Sequence, residues 1–237
     1  QCRPCGAHWL IQSLLQRVMG KIYSVTVDNH ASHSAYFMVF QSDPTQWAPN
    51  ALSLAWFAKY SNPGQNARTR FEWTTDTGFS WAETGELQPG IQFAPAETCE
   101  PSGGSNRISL DCEDGIYRFA NPSWGADPAR FYLAETANIP ARSQACVGVT
   151  MSGSTVYAVQ ARPNQNLAFS PRPRYFIAYG DYQQGDVIDV STVNNPLELS
   201  FPAGVHALTT TLHADGSWTR PISLARANEQ RLRLLSI

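Results

Sequence analysis

Thr69-Arg-Phe-Glu-Trp-Thr-Thr-Asp-Thr-Gly-Phe-Ser-Trp-Ala-Glu-Thr-Gly-Glu-Leu-Gln-Pro-Gly90 is the stretch whose reading decides the fold. Phe71 and Trp73 lie two residues apart, and so do Phe79 and Trp81. A period of two in large aromatic residues is the pattern of a half-buried strand. Asp76, Thr77 and Gly78 supply turn chemistry between the two runs. The stretch therefore predicts an aromatic β-hairpin. Its rings share one face, and Glu72, Thr74 and Ser80 share the other. That aromatic face reads in two ways, as core or as a ligand platform. Burial is the usual fate of side chains that each remove roughly 150–250 Å² from water.

Working outward, the chain is a succession of short β segments. Upstream lie Ile22–Val27, Ala35–Phe40 (apolar on both faces, hence central) and Leu52–Phe57. Downstream a short strand is expected at Ile91–Phe93. The stretch 95–106, rich in Pro, Ser and Gly, reads as a surface loop and the best boundary between two halves. Asp114-Gly115 and Asp215-Gly216 are hairpin signals, and Ser152-Gly153 is a turn. With frequent turns and no convincing interior helix, the fold class is all-β, an antiparallel β-sandwich built as one body or as two packed halves. The last residues, from Arg220, change to an Arg- and Leu-rich pattern suited to an amphipathic helix.

Three segments result. Residues 19–220 form the β domain and 221–237 a C-terminal tail. Residues 1–18 do not share the β pattern of the domain. Met19 stands directly before the first credible strand, so 1–18 read as upstream read-through or a dispensable extension. They lack the cleavage pattern of a secretory signal, and the expected location is cytoplasmic.

Composition narrows function. Of 237 residues, 43% are hydrophobic and 15% charged, which suits a globular chain. A net charge of −2 argues against a nucleic-acid partner. No apolar run approaches the ~20 residues of a membrane-spanning helix. Five cysteines are present. Cys99 and Cys112 flank the Gly-rich loop, and whether they pair is left open, since pairing would need an oxidising compartment. Cys2 and Cys5 have half of a zinc spacing, with no second pair.

Chemistry-bearing motifs are sparse. There is no Gly-x-Ser-x-Gly elbow, P-loop or dinucleotide fingerprint. His30 and His33 share a polar loop, where solvated histidine is the simpler reading. His206 and His213 are seven apart, which sends them to opposite faces of a strand. Neither a metal nor a cofactor is expected, and no catalytic residue is assigned. Asp76, Glu83 and Glu86 lie around the aromatic stretch, where a glycosidase would need paired carboxylates. Pro171-Arg-Pro-Arg-Tyr175 adjoins Tyr179-Gly-Asp-Tyr182, a mixture typical of binding anchors. The candidate binding residues are Trp73, Trp81, Glu83, Arg174 and Tyr175.

Four stretches carry a family resemblance: Ser24-Val-Thr-Val-Asp-Asn-His30, Leu52-Ser-Leu-Ala-Trp-Phe57, Phe79–Gly85 with Leu87–Gly90, and Asn166-Leu-Ala-Phe-Ser-Pro171. Together they resemble the RhiA family of rhizosphere-expressed proteins from nodulating rhizobia, from about Ile22 to about Trp218. The resemblance implies a bacterial protein made in the root zone under quorum-sensing control, with a supporting role in nodulation and plant–microbe interaction. It brings no catalytic residue. The expected mode is binding, to a plant-derived glycan or a partner protein, rather than catalysis. The alternatives are a carbohydrate-binding module or glycosidase on the aromatic stretch, and a β-sandwich that binds a membrane surface through aromatic loops.

Overall fold

The computed structural model describes residues 21–42, 50–101, 105–169 and 173–235. The extension 1–18 lies outside the described residues. The chain opens with β1 (Tyr23–Asn29), β2 (Ala35–Ser42), β3 (Leu52–Leu54), β4 (Phe57–Ser61), β5 (Arg68–Trp73) and β6 (Thr77–Glu83). It continues through β7 (Glu97–Cys99), β8 (Arg107–Glu113), β9 (Ile116–Ser123), β10 (Phe131–Glu135), β11 (Ala145–Met151) and β12 (Ser154–Gln160). It closes with β13 (Asn166–Phe169), β14 (Arg174–Gly180), β15 (Val187–Ile188), β16 (Leu197–Leu199), β17 (Ala207–Leu212), β18 (Ile222–Ser223) and helix α1 (Leu224–Leu235).

These strands form four sheets, ordered β18-β17-β1-β5, β16-β14-β2-β4, β15-β3-β12-β11-β6-β7 and β13-β10-β8-β9. Pairing is antiparallel except between β1 and β17 and between β8 and β10. The fold is all-β and sandwich-like, as the alternation predicts. Two of the expected hairpins form as read, β8–β9 at Asp114-Gly115 and β11–β12 at Ser152-Gly153. In each, both turn residues have positive φ, between 52° and 79°. That geometry matches the twist of the flanking strands.

The aromatic hairpin does not form. β5 pairs with β1, setting Trp73 opposite Tyr23. β6 pairs with β11 and β7, setting Trp81 opposite Val147 and Glu97. Residues 74–76 are thus a corner between two sheets. The reason lies at Gly78, which is not a positive-φ turn residue. A Cβ there would stand 2.8 Å from the Cys99 carbonyl oxygen and 2.8 Å from Thr150 Oγ1. The glycine permits close strand approach instead of reversal.

Other expectations are corrected similarly. Ile91–Phe93 contributes one isolated bridge, Gln92 to Asp186, and not a strand. The loop at 95–106 contains β7 and does not divide the chain. β11 and β12, which come after it, share a sheet with β3 and β6, which precede it. One hydrophobic cluster runs from Val25 to Leu212 across both sides. Cys99, Cys112 and Cys146 are all free thiols, so the Cys99–Cys112 pair is not formed. The C-terminal pattern is a helix as expected, preceded by the short strand β18.

At the centre of the cluster sits Trp56, fully buried, between β3 and β4. Its ring meets Trp73 edge-on at 5.5 Å and stacks on Tyr175 at 6.0 Å. Its indole N–H donates to the Met151 carbonyl at 2.9 Å. We expect Trp56→Phe to leave that carbonyl short of a donor inside a small cavity, costing about 2–3 kcal/mol. Urea unfolding of the variant and the parent measures it.

A second polar feature sits at the end of β10. Glu135 is 3% exposed, and its Oε2 accepts the Arg162 amide at 2.7 Å. Its Oε1 finds no protein donor. Burial pushes this carboxyl up to about 7, against smaller opposing effects of the Arg162 amide and charge. The folded state thus holds the proton more tightly than the unfolded one, whose carboxyl titrates near 4.5. Stability from this group is complete below pH ~4.5 and is lost as pH rises through about 7, by roughly 3 kcal/mol. Glu135→Gln removes that titration. Melting temperatures between pH 4 and 8 are expected to fall less steeply for the variant, which is the more stable form at pH 8.

Candidate functional site

The sequence-derived candidates do not converge on one surface. Trp73 is 1% exposed, Tyr175 7% and Trp81 9%, so all three belong to the core. Trp73 and Tyr175 pack on each other at 5.1 Å. Burial pushes the Tyr175 phenol up to about 12, against a smaller opposing pull from the Trp73 side chain. Trp81 lies in a different sheet, with its ring 5.7 Å from Tyr117 and its N–H on Glu97 at 2.8 Å. Glu83 is exposed at the end of β6. Arg174 is exposed, forms a bidentate pair with Glu198 at 3.2 and 3.0 Å, and lies over the Phe176 ring. The aromatic stretch that organises the fold therefore offers no stacking platform to a ligand. Its rings are occupied by core aromatics from elsewhere in the chain, Trp56, Tyr175 and Phe201 on Trp73, Phe131 on Phe79 and Tyr117 on Trp81.

A pocket of about 510 Å³ forms elsewhere, where three loops meet. They are the β1–β2 loop with His33, the end of β14 running into Tyr182, and the β17 turn from His213 to Trp218, with Asn194 and Asn195 beside it. Each loop is held locally. Asn29 is fully buried, donates to Ser61 Oγ at 3.0 Å and accepts the Ala31 amide at 3.0 Å, which pins the start of the β1–β2 loop. Asp215 Oδ1 accepts the Ser217 amide and hydroxyl at 2.9 and 2.6 Å, closing the β17 turn. Asn195 Nδ2 donates to the Gly216 carbonyl at 2.7 Å, which ties its segment to that turn.

Two aromatic walls share one support. The rings of Tyr179 and Trp218 lie 4.7 and 6.0 Å from the ring of Phe37, which is fully buried on β2. Their polar edges are spent on positioning. The Tyr179 hydroxyl donates to the His33 carbonyl at 2.5 Å, and the Trp218 N–H to the Asn195 carbonyl at 3.0 Å. The ring faces are thus set before any ligand arrives, and pre-set surfaces lose less freedom on binding. Around them stand an imidazole pair, two amide side chains and one carboxylate. His213 Nε2 lies 2.7 Å from Thr219 Oγ1. The Ser217 hydroxyl and amide hold the Asp215 carboxyl below the usual range, and His213 adds a smaller pull the same way. Burial raises the Tyr182 phenol, which is therefore a neutral hydroxyl at physiological pH.

His33 and His213 meet here, although sequence spacing pairs each with a different histidine. His206 packs instead on Tyr23 at 5.3 Å. No three His, Cys, Asp or Glu side chains among the described residues are placed to hold a metal ion. The run Tyr179–Tyr182 is visible in the sequence as a binding cluster. Asp215 and the Asn194-Asn195 pair are not, because turn chemistry alone accounts for their presence, and Trp218 stands in sequence as a lone aromatic after an Asp-Gly turn.

The fold and pocket describe an all-β protein with a preformed aromatic and polar cleft. Residues 20–222 match the family model of RhiA, and the chain belongs to the RhiA family. It is 32% identical over 202 residues to protein RhiA of Rhizobium leguminosarum bv. viciae, covering 84% of this chain and 86% of that protein. No solved structure matches the chain. The matched span agrees with the Ile22–Trp218 resemblance and leaves α1 outside it.

Removing the Tyr179 hydroxyl tests the positioning argument. Tyr179→Phe is expected to cost about 1 kcal/mol in urea unfolding. It is also expected to speed amide hydrogen exchange selectively in residues 30–34.

Proposed function

We propose that this RhiA-family chain is a binding protein of the plant–microbe association, expressed in the root zone under quorum-sensing control and supporting nodulation. It acts by holding a plant-derived glycan in the Tyr179–Trp218 pocket. The observation that carries the reading is the pocket itself, with ring faces pre-set by hydrogen bonds at their edges and a rim of amide, imidazole and carboxylate groups. The C–H faces of a saccharide suit the rings, and its hydroxyls suit the rim. A volume of about 510 Å³ accommodates one or two sugar rings. Binding without hydrolysis is supported by the carboxylate count. Among the described lining residues Asp215 is the one carboxylate, whereas glycoside hydrolysis uses two.

The test is a titration of the full chain with a panel of cello-, xylo- and galacto-oligosaccharides, read by intrinsic tryptophan fluorescence and calorimetry. At least one saccharide is expected to saturate. Asp215→Asn and Tyr182→Ala should each weaken it about tenfold or more. Trp124→Phe, at a tryptophan 64% exposed and outside the pocket, should leave affinity unchanged. A folded chain that shows no saturable signal with any of the panel removes the reading.

A further inference from the structure

A larger cleft lies on the far side of Trp218. It has a volume of about 930 Å³ and is enclosed by β16, the loop after it, β17, β18 and the first turns of α1. That is near the upper end of the sizes found for small-molecule sites. Its walls include Leu197, Val205, Leu208, Trp218, Pro221 and Ile222. Of these only Leu208 is buried, so the others present apolar surface to the open groove.

Charge is concentrated where α1 begins. Arg220 and Arg226 both line the groove, both are exposed, and neither forms an ion pair among the described residues. The groove's carboxylate, Glu198, has both oxygens occupied by Arg174. The first turn of α1 carries no acidic residue to offset the positive end of the helix dipole. The Ser223 hydroxyl accepts the Arg226 amide at 3.3 Å, so the helix start is fixed. A long apolar wall thus ends in two unpaired guanidinium groups at a helix N-terminus.

From this arrangement we infer a second binding site, for a single-chain anionic amphiphile of the fatty carboxylate class. The carboxylate lies between Arg220 and Arg226, where bidentate guanidinium contacts are available. The alkyl chain lies along Val205, Leu208 and Ile222, which removes both its surface and theirs from water. A neutral chain leaves the arginines unused, and a small anion leaves the wall wet. This site is independent of the saccharide reading. It draws on α1, which the family match does not reach.

The full chain is titrated with dodecanoate below its micelle concentration, by calorimetry. Trp218 borders both clefts, so the arginines are changed and the tryptophan is kept. We expect one-to-one saturation by dodecanoate and none by acetate at the same concentrations. The Arg220→Gln/Arg226→Gln variant should bind dodecanoate at least about tenfold more weakly. Both positions are exposed, so the variant is expected to keep the parent melting temperature. Val205→Glu, which puts a like charge on the chain path, should also weaken binding. Absence of one-to-one saturation overturns the inference. So does parent affinity in the double-arginine variant, or equal affinity for a neutral, sugar-free dodecyl oligoethylene glycol ether. Saccharide affinity measured on the same variant separates the two sites, because neither arginine lines the other pocket.

Discussion

The indole of Trp56 is the constraint on which the rest of the packing depends. It is fully buried, its N–H is committed to the Met151 carbonyl on β11, and its ring contacts Trp73 from β5 and Tyr175 from β14. Three sheets are joined through one side chain. Phe201 then seals the group edge-on against Tyr23, Trp73 and Tyr175. Such aromatic contacts add roughly 0.5–1.5 kcal/mol each beyond the area they bury. Their larger effect is geometric, because rings with fixed mutual angles leave few ways for the sheets to slide.

The candidate pocket inherits that rigidity. Phe37 belongs to the same hydrophobic cluster as Trp56 and directly supports the rings of Tyr179 and Trp218. The loops around it are turns closed by Asn29, Asn195 and Asp215 side chains, each on a backbone partner. Core order is transmitted to the surface by two rings and three short polar side chains. The groove under α1 is different in kind. Its charge comes from Arg220, within the family match, and from Arg226 on α1, beyond it.

Much of the strand content is legible from local pattern. The alternation in Arg68–Trp73 is reproduced residue by residue, with Thr69, Phe71 and Trp73 buried and Arg68, Arg70 and Glu72 exposed. The hairpins at Asp114-Gly115 and Ser152-Gly153 are legible because two adjacent residues must take positive φ there, and few residue types do so readily. The partners of β5 and β6 are not legible. Asp76-Thr77-Gly78 carries turn composition, but the glycine serves a close approach to Cys99 and Thr150, residues distant in sequence. The same limit applies to the site. Tyr179 and Tyr182 stand out as a cluster, whereas Trp218 and His33 gain significance only from the ring and hydroxyl they face.

By itself the sequence determined an all-β chain, the faces that its aromatic residues bury, its family, and the helical character of its end. These come from periods of two and 3.6 and from turn residues whose backbone needs are local. Only the tertiary structure decided which strands pair, that Trp73, Trp81 and Tyr175 belong to the core, and that His33, Tyr179, Asp215 and Trp218 share one cleft. Periodicity says which face of a strand is apolar and nothing about what covers it. That choice is made by contacts between residues far apart in the chain. Ring packing, one indole hydrogen bond and the room available at a single glycine select among pairings that local sequence leaves equivalent.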